Sequence, residues 1–180
     1  MPTADIQTER LFLRRLTLDD ADAIFAVIGD AVAMQYYPRA FTREDAQEWI
    51  DRNLRRYEQD GYGLLAIVLK SSGEVIGDCG LSWQLADEEP VLELGYHLRR
   101  DHWGHGYVTE AARACMDYAF RELAAQRVVS LIRPENLPSR RVAERNGMQV
   151  EREVMHSGLP HLLYVICRLS DDSRPGTRIG

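Results

Sequence analysis

A pair of glycines where a strand-like run meets a helix-like run constrains this chain more than any other feature. In VLELGYHL (residues 91–98) the apolar side chains fall at alternate positions, the period of a half-buried strand. RRDHWGHG follows. YVTEAARACMDYAF then repeats its apolar residues every three to four positions, the period of an amphipathic helix. Gly104 and Gly106 therefore sit at a strand-to-helix turn. Unpaired N–H groups and the helix dipole make such a turn a ready anion site.

The remaining periodicities set the order of elements. RLFLRRL (10–16) alternates and reads as a first strand. Thr17 opens a helix through LDDADAIFAVIGD, and MQYYPRAF is an aromatic loop broken by Pro38. Thr42 and Asp45 form a capping box for a second helix, which runs to about Asp60 and stops at Gly61. Strands are predicted at 63–70 and 74–83, joined by the turn SSG. The acidic loop ADEEP leads to the strand at 91–98. After the helix that follows Gly106 come a strand at 127–133, a helix from the N-cap Asn136 to Gly147, and two last strands joined by HSGLP. The order β, α, α, β, β, β, α, β, α, β, β implies an α/β (α+β) fold with one mixed, mostly antiparallel sheet of about seven strands and helices on both faces. One domain over 1–169 is expected, with a frayed tail at 170–180.

Composition narrows the class. The chain has 180 residues, 45% of them hydrophobic, and a net charge of −6. An acidic balance argues against a broad nucleic-acid footprint. No run reaches the ~18 apolar residues of a membrane span. The N-terminus lacks a charged-then-apolar signal pattern, so a cytoplasmic location is expected. Cys79, Cys115 and Cys167 are odd in number and far apart, and read as reduced, mostly buried thiols. No metal is assigned, because His156 and His161 do not have ligand spacing.

Three known turn types can be set against the glycine pair. A P-loop needs GxxxxGK[ST], and its Lys and spacing are missing. A dinucleotide fingerprint needs a third glycine where Thr109 stands. The third type uses the neighbouring residues. ELGYHLRRDHWGHGYVTEAARACMDYAF, RVVSLIRPENLPSRRVAERNGMQVERE and the earlier TER, TREDAQEWI and GEVIGDCGL together resemble the GNAT superfamily of acyl-CoA N-acyltransferases. Within it they are most similar to the ribosomal-protein N-terminal acetyltransferase (RimJ/RimL-like) branch, over about 8–169. Val108 departs from the Gly or Ala usual at its position.

The resemblance implies acetyl-CoA as co-substrate. Its pyrophosphate would lie on the turn Gly104, His105, Gly106, Tyr107, Val108 and Thr109, with added charge from Arg99, Arg100 and His105. It implies that the strand at 92–98 parts from the strand at 128–133. Backbone at Tyr96, His97 and Leu98 would pair with pantetheine and stabilise the oxyanion. An amine then attacks the thioester. An amine of pKa near 10 is about 0.1% neutral at pH 7, a cost of roughly 4 kcal/mol, so a base helps. Glu93, a lone carboxylate in an apolar strand, is the candidate base. Strand parity puts Glu93, Gly95 and His97 on one face and Leu92, Leu94, Tyr96 and Leu98 on the other. The tyrosine that protonates the thiolate in many relatives is replaced by Ala143, which leaves Ser139 as the nearest donor and Asn136 as a pantetheine contact. Tyr36, Tyr37, Phe41, Trp83 and His156 are candidates for the acceptor pocket.

The expected activity is acetyl transfer from acetyl-CoA to a primary amine, on a protein N-terminus or a small molecule, by a monomer or homodimer. Two alternatives are another acyl donor such as succinyl-CoA and a non-catalytic acyl-CoA-binding module.

Overall fold

The computed structural model describes residues 5–168; the tail expected at 170–180 lies outside them. An eight-stranded sheet has the order β1-β2-β3-β4-β5-β6-β8-β7. Its strands are β1 (Ile6–Gln7), β2 (Leu11–Arg15), β3 (Leu64–Leu69), β4 (Val75–Ala86), β5 (Glu89–Leu98), β6 (Arg127–Ile132), β7 (Gln149–His156) and β8 (Leu159–Cys167). Every pairing is antiparallel except that of β5 with β6. The seven expected strands are present. The eighth, β1, is two residues long and is held by its pairing with β2 rather than by any pattern of its own.

The four helices are α1 (Ala21–Ile28), α2 (Arg43–Gln59), α3 (Tyr107–Arg121) and α4 (Leu137–Arg145). Parity on β3 shows how they divide. Leu65, Ile67 and Leu69 face a core shared with Ala111, Cys115 and Ala119 of α3 and Ala143 of α4. Ala66 and Val68 face a second core built on Ile24 and Ile28 of α1 and Ala46 and Ile50 of α2. Helices thus cover both faces of the sheet, each burying one apolar stripe. Cys79 and Cys115 are buried between β4 and α3, whereas Cys167 is exposed.

The start of α2 follows its sequence. Thr42 accepts from the Asp45 N–H at 3.2 Å, and Asp45 accepts from the Thr42 N–H at 2.7 Å. The loop expected at ADEEP is a correction: β4 and β5 run on to a two-residue turn at Asp87 and Glu88. Both turn residues have positive φ, 48° and 68°. That twist matches a tight hairpin. Asp87 fastens the turn by accepting from the Met155 N–H at 2.8 Å.

Candidate active site

β5 and β6 are parallel neighbours that touch at one register point, Glu93 opposite Val129. Ser130 Oγ closes that point by donating to the Leu94 carbonyl at 2.8 Å. Beyond it the strands part, and a cleft of about 740 Å³ opens through the sheet. Its size is that of a small-molecule or cofactor site.

The two faces of β5 supply different walls. Glu93, Gly95 and His97 stand opposite Ser82, Gly80 and Asp78 on β4, on the α1/α2 side. Leu94, Tyr96 and Leu98 face the core that holds α3 and α4. Burial raises the Glu93 carboxyl above its ordinary range, against the lowering effect of His156, the Leu131 N–H, His97 and Arg56. His97 is gripped at both nitrogens: Nδ1 lies 2.7 Å from Asp78 Oδ1 and Nε2 lies 2.7 Å from the Tyr37 hydroxyl. Trp49 donates its indole N–H to the other Asp78 oxygen at 2.7 Å.

On the far face, Ser139 Oγ and the Tyr96 hydroxyl lie 3.1 Å apart. Burial pushes the Tyr96 hydroxyl well above the ordinary tyrosine range, so it stays protonated. Ala143 is buried in the same core. The Tyr96 hydroxyl thus reaches the cleft from the strand. The first turn of α4 is capped by Asn136, whose Oδ1 accepts from the Ser139 N–H at 3.2 Å. The cap uses the carbonyl half of the carboxamide and leaves the NH₂ half as a donor.

At the end of the cleft, Gly104 and Gly106 both adopt positive φ, 81° and 78°. A Cβ on Gly104 would meet nothing within 4 Å, so the space over the turn is open. The turn is braced from behind. Arg10 donates to the His105 carbonyl at 2.8 Å and from Nε to Glu110 Oε2 at 2.7 Å. Thr8 donates to Glu110 Oε1 at 2.6 Å. Although burial alone would raise the Glu110 carboxyl, these bonds hold it low. The negative charge in the first turn of α3 is therefore matched by Arg10, and the N-terminal N–H groups stay attractive to an anion.

Residues 10–149 match the acetyltransferase (GNAT) domain family. This chain belongs to the GNAT family of acetyltransferases. It is 35% identical over 158 residues to the uncharacterized protein YkkB of Bacillus subtilis, covering 87% of this chain and 92% of YkkB. It is 32% identical over 148 residues to the uncharacterized N-acetyltransferase p20 of Bacillus licheniformis, covering 81% and 83%. Among solved structures, an acetyltransferase from Agrobacterium tumefaciens superposes with a TM-score of 0.81 at 30% identity, over 93% of this chain and 96% of that one. RimL, a ribosomal L7/L12 α-N-protein acetyltransferase solved with coenzyme A, shares the fold with a TM-score of 0.69 at 18% identity, over 91% and 98%.

Within this GNAT domain most of the expected residues meet at the cleft. Glu93, Tyr96, His97, Leu98, Gly104, Gly106, Tyr107, Val108, Thr109, Asn136 and Ser139 line it, as do Tyr36, Tyr37, Phe41 and His156. Four expected residues do not. Arg99 is taken up by Asp101 at 2.7 Å and Glu74 at 2.8 Å. His105 stacks on Tyr107 at 5.7 Å. Trp83 is 51% exposed and stands on the face of β4 opposite to Asp78, Gly80 and Ser82, past the buried Cys79 and Leu81. Arg100 likewise pairs with Asp30 at 3.3 Å. The arginines that line the cleft are instead Arg52, Arg56, Arg133, Arg141 and Arg145.

Sequence reasoning passed over Asp78, the Tyr96 hydroxyl and the Arg10–Glu110 brace. Asp78 carried the signal that singled out Glu93, a lone carboxylate in an apolar strand. The other two depend on contacts across 43 and 100 positions of sequence.

Proposed function

We propose that the chain transfers an acetyl group from acetyl-CoA to a primary amine by direct attack on the thioester. The observation that carries this reading is the parting of β5 from β6 beyond Glu93, in a GNAT domain whose glycine turn opens onto the same cleft. The residues present fit the co-substrate. The open space over Gly104 and the N-terminus of α3 suit the pyrophosphate, and the free edge of β5 from Gly95 to Leu98 suits an added strand of pantetheine amides. Bound there, acetyl-CoA supplies an activated carbonyl and a thiolate leaving group.

This chain's own residues then act from the two faces of β5. The acceptor amine lies on the α1/α2 side, over Gly95 and between Glu93 and His97. Glu93 takes a proton from the nitrogen, and its raised pKa places it nearer the working range of a general base. Tyr96 and Ser139 stand on the other side, where the sulfur leaves. The two hydroxyls act as a pair: Ser139 donates to Tyr96, and the Tyr96 proton turns from the Ser139 carbonyl toward the sulfur. Removing one such donor typically lowers a rate by ~10²-fold or more.

The test joins calorimetry with turnover. Titrated acetyl-CoA should bind with near-unit stoichiometry. Free CoA should then be released in the presence of one or more members of a panel of amino acids, polyamines and short peptides with free N-termini. Acetyl-CoA that binds without turnover on any amine would leave a binding module; no binding at all would remove the reading.

A further inference from the structure

The nitrogen of a primary ammonium carries three hydrogens and the product amide carries one. Two protons must therefore leave it, and Glu93 accounts for one. A second acceptor stands four residues away on the same face of β5. We propose that Tyr37, His97 and Asp78 form a proton relay that turns the bound ammonium into the free amine before attack, with the Tyr37 hydroxyl touching the nitrogen. The inference rests on the acetyl-transfer reading above.

The direction of the relay follows from the donors and acceptors. Asp78 is 1% exposed. An indole N–H can only donate, so Trp49 fixes Asp78 Oδ2 as an acceptor. Asp78 Oδ1 accepts from His97 Nδ1–H, which leaves the lone pair of the neutral ring on Nε2. Nε2 accepts the Tyr37 O–H at 2.7 Å. The remaining lone pairs of the Tyr37 oxygen are free to accept in turn. All three bonds are thus polarised one way, from cleft to buried carboxylate. The imidazole is also held by shape, with Trp49 at 5.1 Å and 82° and Tyr37 at 5.7 Å and 54°.

The step balances. The ammonium passes a proton to the Tyr37 oxygen while the Tyr37 proton moves to His97 Nε2, giving a free amine and an imidazolium beside Asp78. A buried carboxylate in that position stabilises the imidazolium and fixes its tautomer. Attack forms the N–C bond, the C–S bond breaks with its electron pair on sulfur, and Glu93 takes the second proton. Tyr96 gives its proton to the thiolate and is reprotonated through solvent by the proton that Glu93 gives up, and His97 returns its own to solvent through Tyr37, so one proton is released per turnover. Desolvation of its oxygen, with Glu93 and Asp78 nearby, keeps the Tyr37 hydroxyl well above the ordinary tyrosine range although the residue as a whole is 40% exposed, so it conducts as a hydroxyl rather than as a phenolate. The charged and titratable groups sharing this part of the cleft are Asp78, Glu93, Tyr96, Arg52, Arg56, His156 and His161.

The simpler role for these contacts is to fasten the aromatic loop to the sheet, and experiment separates the two. Tyr37→Phe keeps the ring and removes the relay. With an acceptor that is an ammonium at neutral pH, kcat/KM should fall ~10²-fold, and the loss should shrink as pH approaches the acceptor's own pKa. With an alkoxyamine that is already neutral, the same variant should keep nearly full rate. A loss of equal size with both acceptors and at all pH values overturns the relay and leaves acetyl transfer standing. Wild-type protein that turns over no amine overturns both. A readout independent of activity is the far-downfield imidazole N–H proton in the NMR spectrum. It should be present in wild type and Tyr37→Phe, and absent in Asp78→Asn. Its absence from folded wild-type protein also overturns the relay.

Discussion

Ser139 Oγ donates to the Tyr96 hydroxyl at 3.1 Å, and that hydroxyl donates back to the Ser139 carbonyl at 3.0 Å. Strand and helix are thereby joined through two hydroxyls at the edge of the cleft. Tyr96 is the member with a proton to redirect, and Ser139 backs it. Tyr96→Phe should therefore lower kcat more than Ser139→Ala. General acid assistance is worth ~10²–10⁴-fold. We expect about 10²-fold for Tyr96→Phe, the low end of that scale, and about 10-fold for Ser139→Ala, less than the scale because Ser139 only backs Tyr96, with acetyl-CoA affinity nearly unchanged in calorimetry. Full kcat in both variants would show that solvent protonates the sulfur.

Gly106 holds a φ of 78° at the N-cap of α3. Any L-residue there should cost the fold about 1 kcal/mol. A Cβ would meet only Arg10 Nη2 at 3.5 Å, an ordinary contact. Gly106→Ala should therefore fold with a slightly lower melting temperature and weakened CoA binding. Gly106→Glu adds a negative charge over the turn and should abolish binding. Unchanged CoA affinity in folded Gly106→Glu would take the pyrophosphate off this turn.

Glu93 gives a stability prediction with a definite sign. Its folded-state pKa is raised above the ordinary 4.5 by burial. Between these two values the folded protein holds a proton that the unfolded chain has lost. Stability therefore falls as pH rises through that window. Glu93→Gln should unfold at a higher denaturant midpoint than wild type at neutral pH, and the difference should vanish below the ordinary pKa. In turnover, Glu93→Gln should lose rate with a neutral alkoxyamine acceptor as well as with an ammonium. In this it should differ from Tyr37→Phe.

Arg10 ties the N-terminal strands to the glycine turn through the His105 carbonyl and Glu110. Its side chain is 42% exposed, so the ion pair itself should add little to stability, at most about 1 kcal/mol. Its removal uncovers Glu110 beside the helix N-terminus, however. Arg10→Ala should weaken CoA binding several-fold with a small change in melting temperature, and Arg10→Ala with Glu110→Gln should restore part of the affinity. No recovery in the double variant would show that Arg10 acts on the turn's shape rather than on its charge.

Much of this molecule was legible in the chain itself. The change of period across Gly104 and Gly106, the capping box at Thr42 and Asp45, and the alternation along β5 are local properties. They depend on backbone sterics and on burying one face of each element, and they determined the helices, seven strands and the faces carrying Glu93 and His97. The tight turn at Asp87 and Glu88 was harder to read, because acidic residues favour loops and only the twist of the hairpin draws them to positive φ.

What the tertiary structure alone decided are the pairings across distance. Hydroxyl, imidazole and carboxylate groups reach only about 3 Å. Whether Tyr37 meets His97, Tyr96 meets Ser139, or Arg99 turns to Glu74 rather than to the turn depends on how elements 25 to 60 positions apart are packed. Sequence placed the strand that carries Glu93 and His97. Only the parting of β5 from β6 beyond Glu93, in a sheet with helices packed on both faces, made that strand the wall of a site.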